Sequence, residues 1–323
     1  MSKSQIDTSF NTPINSPTQL EDQLWDEIFK VISHKMPSQL IPLLNEAFQK
    51  QYPLDTPIEF LSTEYITRKR RKSKKKYPSI YTDIVIRVNH TDIYHLECQM
   101  RHSKVMIMRM LEYDFSVALQ YGIGTTSSDE ISLHFPKSCV LYPVKNKRIP
   151  EFLTCIITFP DGYTYRYQVP TVKVPSYSLS EVAGKHLTIL LPFLLLRFRP
   201  RLKSSANPLT KEELTEYVKQ IIVILHNELS QGNLTENQCR QYIELINMSA
   251  DQIFSHNDDL VQEVHAMTRP LIELSDDKIE RLTLQLKKKD YQLQKRDSVI
   301  KSLTAELAKY KQVFGDFEEN QPS

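Results

Sequence analysis

Two carboxylates in the first third of the chain stand where they can do chemistry. Asp83 lies in Thr82–Val88 (TDIVIRV), and Glu97 lies in Ile93–Gln99 (IYHLECQ), two residues before Gln99. Carboxylates that converge on one divalent cation let it polarise a phosphate and activate a water. Oxygen donors of this kind suit Mg2+ or Mn2+, and Mg2+ usually keeps several waters. Both segments alternate as strands do, and residues two apart on a strand share a face. Glu97 and Gln99 therefore point one way, and Leu96 and Cys98 the other. Asp83, Val85 and Arg87 share a face, with Ile84, Ile86 and Val88 opposite them. His95 and Cys98 fall on opposite faces, which argues against a zinc pair.

The two strands are joined by the turn-rich Asn89-His90-Thr91-Asp92, so a hairpin is expected. Asp83 meets Glu97 on one face only if the loop holds an odd number of residues. A loop of 89–91 places Asp83 opposite Glu97, and one of 90–92 places it opposite Gln99. A two-residue loop puts Asp83 on the wrong side. The competing reading is that these are polar residues on a solvated sheet face.

The rest of the chain bounds what can surround this hairpin. At 323 residues it can bury a large core. Only six glycines are present, and no GxxxxGK or GxGxxG phosphate loop occurs. Cys98, Cys139, Cys155 and Cys239 form no CxxC, so reduced thiols in a cytoplasmic protein are expected. The first residues are polar and lack an apolar signal core. The longest apolar run, Leu187–Leu196, is too short to span a bilayer and contains Pro192, so no membrane partner is expected. Residues 1–200 hold 25 Lys and Arg against 19 Asp and Glu, whereas 201–323 hold 16 against 20. A polyanion would thus favour the first part.

Periodicity and turn residues divide the chain. Residues 1–19 read as a disordered tail, and 20–200 as the main domain. Helices are expected from Glu21 and through Leu40–Phe48, with a helix-to-strand transition near Ile58–Leu61 leading to Glu64. Val105–Tyr121 reads as an amphipathic helix, Ser138–Val144, Glu151–Phe159 and Tyr163–Val169 as strands, and Ser180–Arg197 as a closing helix. The fold class is mixed α/β, a small mixed sheet flanked by helices. Residues 201–268 read as a helical region whose helices open at Thr210 and Thr235, and 316–323 as a second tail. Between them, 271–315 carries a heptad, with Ile279, Leu286, Leu293, Ile300, Leu307 and Phe314 spaced by seven. Its d positions are Leu282, Lys289, Arg296, Leu303 and Tyr310. A coiled coil over 279–314 is expected, and with it a homo-oligomer.

Asp followed by Glu-x-Lys across such a hairpin is the signature of PD-(D/E)XK nucleases, and this segment resembles it with Gln99 where Lys is usual. STEYI, TDIVIRV, YHLECQ and MRMLEYDFSVAL, in that order, resemble the bacterial PD-(D/E)XK nuclease-family transposases, also called recombination-promoting nucleases. The opening FKVISHKMPSQLIPLLNEAF is similar to that group too, and the resemblance covers Leu24–Phe198. It implies a restriction-endonuclease-like core that hydrolyses DNA phosphodiesters with Mg2+, or Mn2+. Asp83 and Glu97 would ligate the metal with the backbone carbonyl of Cys98, and Gln99 would orient the water or scissile phosphate. Gln99 cannot supply a positive charge or a proton as Lys does. Glu64 matches the acidic residue of the preceding element. Arg109 and Tyr113, at i and i+4, would reach the phosphate.

Arg68–Lys76 is basic at eight of nine positions: Arg68, Lys69, Arg70, Arg71, Lys72, Lys74, Lys75 and Lys76. Such a run must be solvated, and it can bind DNA phosphates without reading sequence. Three functions stand side by side at this point. They are a metal-dependent DNA endonuclease, a catalytically weakened DNA-binding relative, and an oligomeric scaffold acting through the coiled coil.

Overall fold

Apolar residues at helical spacing build the first layer. Trp25, Ile28, Phe29 and Ile32 recur every three or four residues on α1 (Pro17–Lys35), and all are buried. The computed structural model describes residues 17–62, 64–66, 79–81, 83–127, 129–272 and 276–314. Helix α1 thus begins inside the expected tail at 1–19, whose first 16 residues lie outside the described ones. Helix α2 (Leu40–Phe48) follows and ends at Gln49, whose φ of 51° terminates it.

The expected helix-to-strand transition is a short strand, β1 (Ile58–Phe60), followed by the small pair β2 (Glu64–Ile66) and β3 (Ser79–Tyr81). The central hairpin is β4 (Ile84–Val88) and β5 (Asp92–Cys98), close to the expected bounds. Helix α3 (Met106–Tyr121) crosses over from β5. A second small pair, β6 (Ile123–Ser127) and β7 (Glu130–Leu133), was not expected from the sequence. Strands β8 (Lys137–Tyr142), β9 (Phe152–Thr158) and β10 (Thr164–Lys173) complete the sheet.

The main sheet has the order β1-β4-β5-β8-β10-β9. The two outer pairings on the β1 side and the β10–β9 hairpin are antiparallel, whereas β5–β8 and β8–β10 are parallel. A parallel neighbour needs a crossover, and α3 provides it between β5 and β8. Met106, Ile107 and Met110 of α3 pack on Val140, Tyr142, Tyr167 and Val169 of the sheet. On the other face the Phe48 and Tyr94 rings lie 5.1 Å apart. The result is a mixed sheet flanked by helices, as expected.

The closing helix is different from the expectation. Only α4 (Leu179–Gly184) is α-helical, opened by a capping box at Ser178 and Glu181. His186 turns the chain with φ 55°, and Thr188–Lys203 continues as 3-10 helix. Pro192 and Pro200 interrupt the α-helix here, because a proline ring clashes with the carbonyl four residues back. The apolar run is nevertheless buried from Leu187 to Leu196, with Phe193 6.1 Å from Trp25.

Helices α5 (Lys211–Ser230) and α6 (Glu236–Ile253) open on capping boxes, Thr210 with Glu213 and Thr235 with Gln238. They join the same body as the sheet, since Met1–Thr268 is one compact unit. Thr188 donates a hydrogen bond to Gln39 and accepts one from Tyr242 at 3.2 Å, tying the 3-10 segment to both sides. Helix α7 spans Asp258–Ile272. The second unit, Arg269–Ser323, contains the end of α7 and helix α8 (Asp276–Phe314). No helix among the described residues is long and apolar enough to cross a membrane.

Candidate active site

The β4–β5 ladder pairs Ile84 with Leu96 and Val88 with Asp92, which leaves a three-residue loop at 89–91. Asn89 and His90 both adopt positive φ, at 50° and 64°, and so tighten that turn. Extending the ladder one step sets Asp83 opposite Glu97. Of the two odd registers open from sequence, the chain adopts the first.

The two residues are linked across the strand ends. The Asp83 N–H donates to Glu97 Oε1 at 3.2 Å, and the Cys98 N–H donates to Asp83 Oδ2 at 2.9 Å. The third donor expected from sequence, the Cys98 carbonyl, belongs to the residue whose N–H bonds Asp83. The Gln99 side-chain amide donates to Glu97 Oε2 at 3.5 Å, and Arg109 Nη2 is 4.0 Å from the same oxygen. Arg109 Nε also reaches the Tyr113 hydroxyl at 3.3 Å, and its guanidinium lies 5.5 Å from that ring centre. The i, i+4 pair on α3 therefore faces Glu97 as a unit.

Sequence reasoning missed Lys30. It projects from α1 with Nζ 3.3 Å from Asp83 Oδ1 and 2.8 Å from Asp26 Oδ2. No spacing in the sequence marks it, because the contact joins elements 53 positions apart.

A buried polar chain runs beneath Glu97. His95 is fully buried; Nε2 is 3.1 Å from Glu97 Oε1 and Nδ1 is 2.6 Å from Asp114 Oδ1. Ser138 donates to Asp114 Oδ2 at 2.7 Å, and the Tyr167 hydroxyl donates to the same oxygen. Asp114 had a readable signal. It falls on the apolar stripe Met106, Met110, Val117 of α3, where a carboxylate requires partners. His95 also shares the Glu97 face of β5.

These contacts set the charge states. Burial alone would lower the His95 pKa, but hydrogen bonds to Asp114 and Glu97 outweigh it and raise it to about 9. Burial would raise Glu97, yet the hydrogen bond and charge of His95, with Arg109, hold it below the ordinary carboxylate range. Asp83 goes the other way. Burial first, then the negative charge of Glu97, push it up to about 8, against the pull of the Cys98 N–H and Lys30. A buried carboxylate raised by a neighbouring one is a place where added positive charge is favourable.

Among the described residues, no group of three His, Cys, Asp or Glu side chains is placed to hold a metal ion. The arrangement offers two carboxylates and a backbone carbonyl instead. That donor set is all oxygen and suits a hard cation that keeps most of its waters.

Glu64 opens β2, paired with Tyr81 of β3, outside the six-stranded sheet. The basic residues Arg68, Lys69, Arg70, Arg71, Lys72, Lys74, Lys75 and Lys76 lie outside the described residues. No protein-family model, curated protein or solved structure matches this chain.

Proposed function

We propose that this chain is an Mg2+-dependent DNA endonuclease with a restriction-endonuclease-like core, of the recombination-promoting nuclease type. The observation that carries this reading is the register that sets Asp83 opposite Glu97 on one sheet face. Bound there, Mg2+ or Mn2+ would polarise the scissile phosphate and acidify a water. Asp83, Glu97 and the Cys98 carbonyl are the groups that would hold it.

The chain's own residues divide the remaining work. His95 keeps Glu97 ionised and fixes its orientation through Oε1, leaving Oε2 toward Gln99 and Arg109. Gln99 orients the water or the phosphate. It carries no charge, and Lys30 brings a cation to Asp83 from the other side of the site. Arg109 is about one-third exposed, so its guanidinium can turn to a phosphate oxygen. The run from Arg68 to Lys76 ends seven positions before Asp83 and adds phosphate affinity without sequence preference.

The test combines plasmid cleavage with DNA binding. Nicking in Mg2+ that disappears in Asp83→Ala and in Glu97→Ala supports the reading. DNA binding that survives both changes but collapses when Lys74, Lys75 and Lys76 are neutralised, with no cleavage by any variant, contradicts it and favours a binding protein.

A further inference from the structure

We propose that α8 is one half of a parallel, in-register two-stranded coiled coil made with a second copy of this chain. The apolar ridge of this helix lies open to solvent. Leu286, Leu293, Ile300 and Leu307 are each more than half exposed, as is Leu303 at a d position. Their repeat is seven, not 3.6. A straight helix drifts about 20° per heptad, so a strict sevenfold ridge stays on one side only if two helices supercoil around each other.

Charge selects the occupant and the orientation. The two d positions that are not apolar, Lys289 and Arg296, are each followed at e by an aspartate, Asp290 and Asp297. Adjacent residues on one helix do not face each other. In a parallel pair, a d side chain inserts into a hole bordered by the facing d, the facing e and two facing a residues. Lys289 then meets Asp290 of the second copy, and Arg296 meets Asp297 of the second copy. Twofold symmetry repeats both pairs. The aliphatic stems lie along Leu293 and Ile300 while the charged ends reach outward.

The flanking positions agree. Parallel g-to-e pairing brings Glu306 opposite Lys311 of the second copy, an attractive pair, and Gln292 opposite Asp297. Antiparallel alignment with full overlap faces Asp290 with Asp297 across the flank, a repulsive pair. A helix of 39 residues is about 58 Å long, enough for five heptads. The proposal is independent of the chemistry at Asp83 and Glu97.

The test uses the full chain, whose monomer is 37.8 kDa. Sedimentation equilibrium is expected to give a dimer in the micromolar range, and a Leu293→Glu, Ile300→Glu double variant a monomer with unchanged near-ultraviolet circular dichroism. Leu303→Cys is expected to oxidise to a covalent dimer, whereas Gln312→Cys, on the outer face, does not. Asp290→Lys, Asp297→Lys is expected to weaken association at least tenfold, and adding Lys289→Asp, Arg296→Asp to restore it. A monomer at all concentrations, a dimer that survives the Glu double variant, or the absence of Leu303→Cys cross-linking overturns the proposal.

Discussion

Asp83 faces Glu97 across the end of the β4–β5 ladder; its own N–H holds the Glu97 side chain, and the N–H of Cys98, the residue after Glu97, holds the Asp83 side chain. The Asp83 N–H donates to Glu97 Oε1 at 3.2 Å while the Cys98 N–H donates to Asp83 Oδ2 at 2.9 Å. The pair is thus positioned by main-chain geometry, which a side-chain substitution leaves in place. It is asymmetric in charge, with Asp83 raised and Glu97 lowered.

Positions 30 and 99 are expected to be interchangeable places from which a lysine can bring positive charge to the carboxylate pair. Lys30→Gln removes the cation next to Asp83 and is expected to lower cleavage by 10- to 100-fold, with DNA affinity changed far less. Adding Gln99→Lys restores a positive charge on the Glu97 face and is expected to recover much of the rate. Single-turnover cleavage of the two variants measures this. A Lys30→Gln rate equal to the parent removes Lys30 from the site.

The chain beneath Glu97 is expected to matter for stability as well as for the site. Asp114→Ala leaves His95 without one buried partner and also strips Ser138 and Tyr167 of their acceptor. Breaking a buried ion pair from one side typically costs about 3–5 kcal/mol. Urea unfolding of Asp114→Ala is expected to show a loss of that order, and Asp114→Asn a smaller one. A loss under about 1 kcal/mol would mean that the network is not held as described.

Stability without divalent cations is expected to fall as pH rises from about 5 to about 9. Asp83 sits at about 8 in the fold, against about 3.9 in an unfolded chain, and His95 at about 9 against about 6.5. In both cases the folded state binds more protons, so stability drops with rising pH. For Asp83 the drop runs from about pH 4 to about 8, and for His95 from about 6.5 to about 9. Glu97 is lowered, and its contribution is lost only as pH falls below the ordinary carboxylate range. Thermal melts in EDTA between pH 5 and 9 measure the slope. Asp83→Asn is expected to flatten it, and an unchanged slope contradicts the charge assignment.

Much of this arrangement was legible beforehand, and for a physical reason. Strand alternation is local, so the two strands and the shared face of Glu97 and Gln99 follow from nearby residues, whereas the parity and register of the loop, on which Asp83 joining that face depends, are fixed only by the ladder. The amphipathic α3 is equally local, and it carries Arg109 and Tyr113 to the site. Lys30 was not legible, because its position depends on how α1 packs over the strand ends. Nor was the 3-10 segment Thr188–Lys203, where an apolar run looks alike in any buried helix and two prolines decide its form. His95 and Asp114 were readable in part. Charged or polar groups on buried faces imply each other, yet only the fold pairs them.

Cleavage of supercoiled plasmid in Mg2+ by the parent chain, beside Asp83→Asn and Glu97→Gln, tests the proposed chemistry most directly. The expected result is nicked or linear DNA with the parent and a loss of at least 1000-fold in each variant, with both variants folded and still binding DNA. No nicking by the parent at any Mg2+ or Mn2+ concentration, or nicking undiminished in both variants, contradicts it.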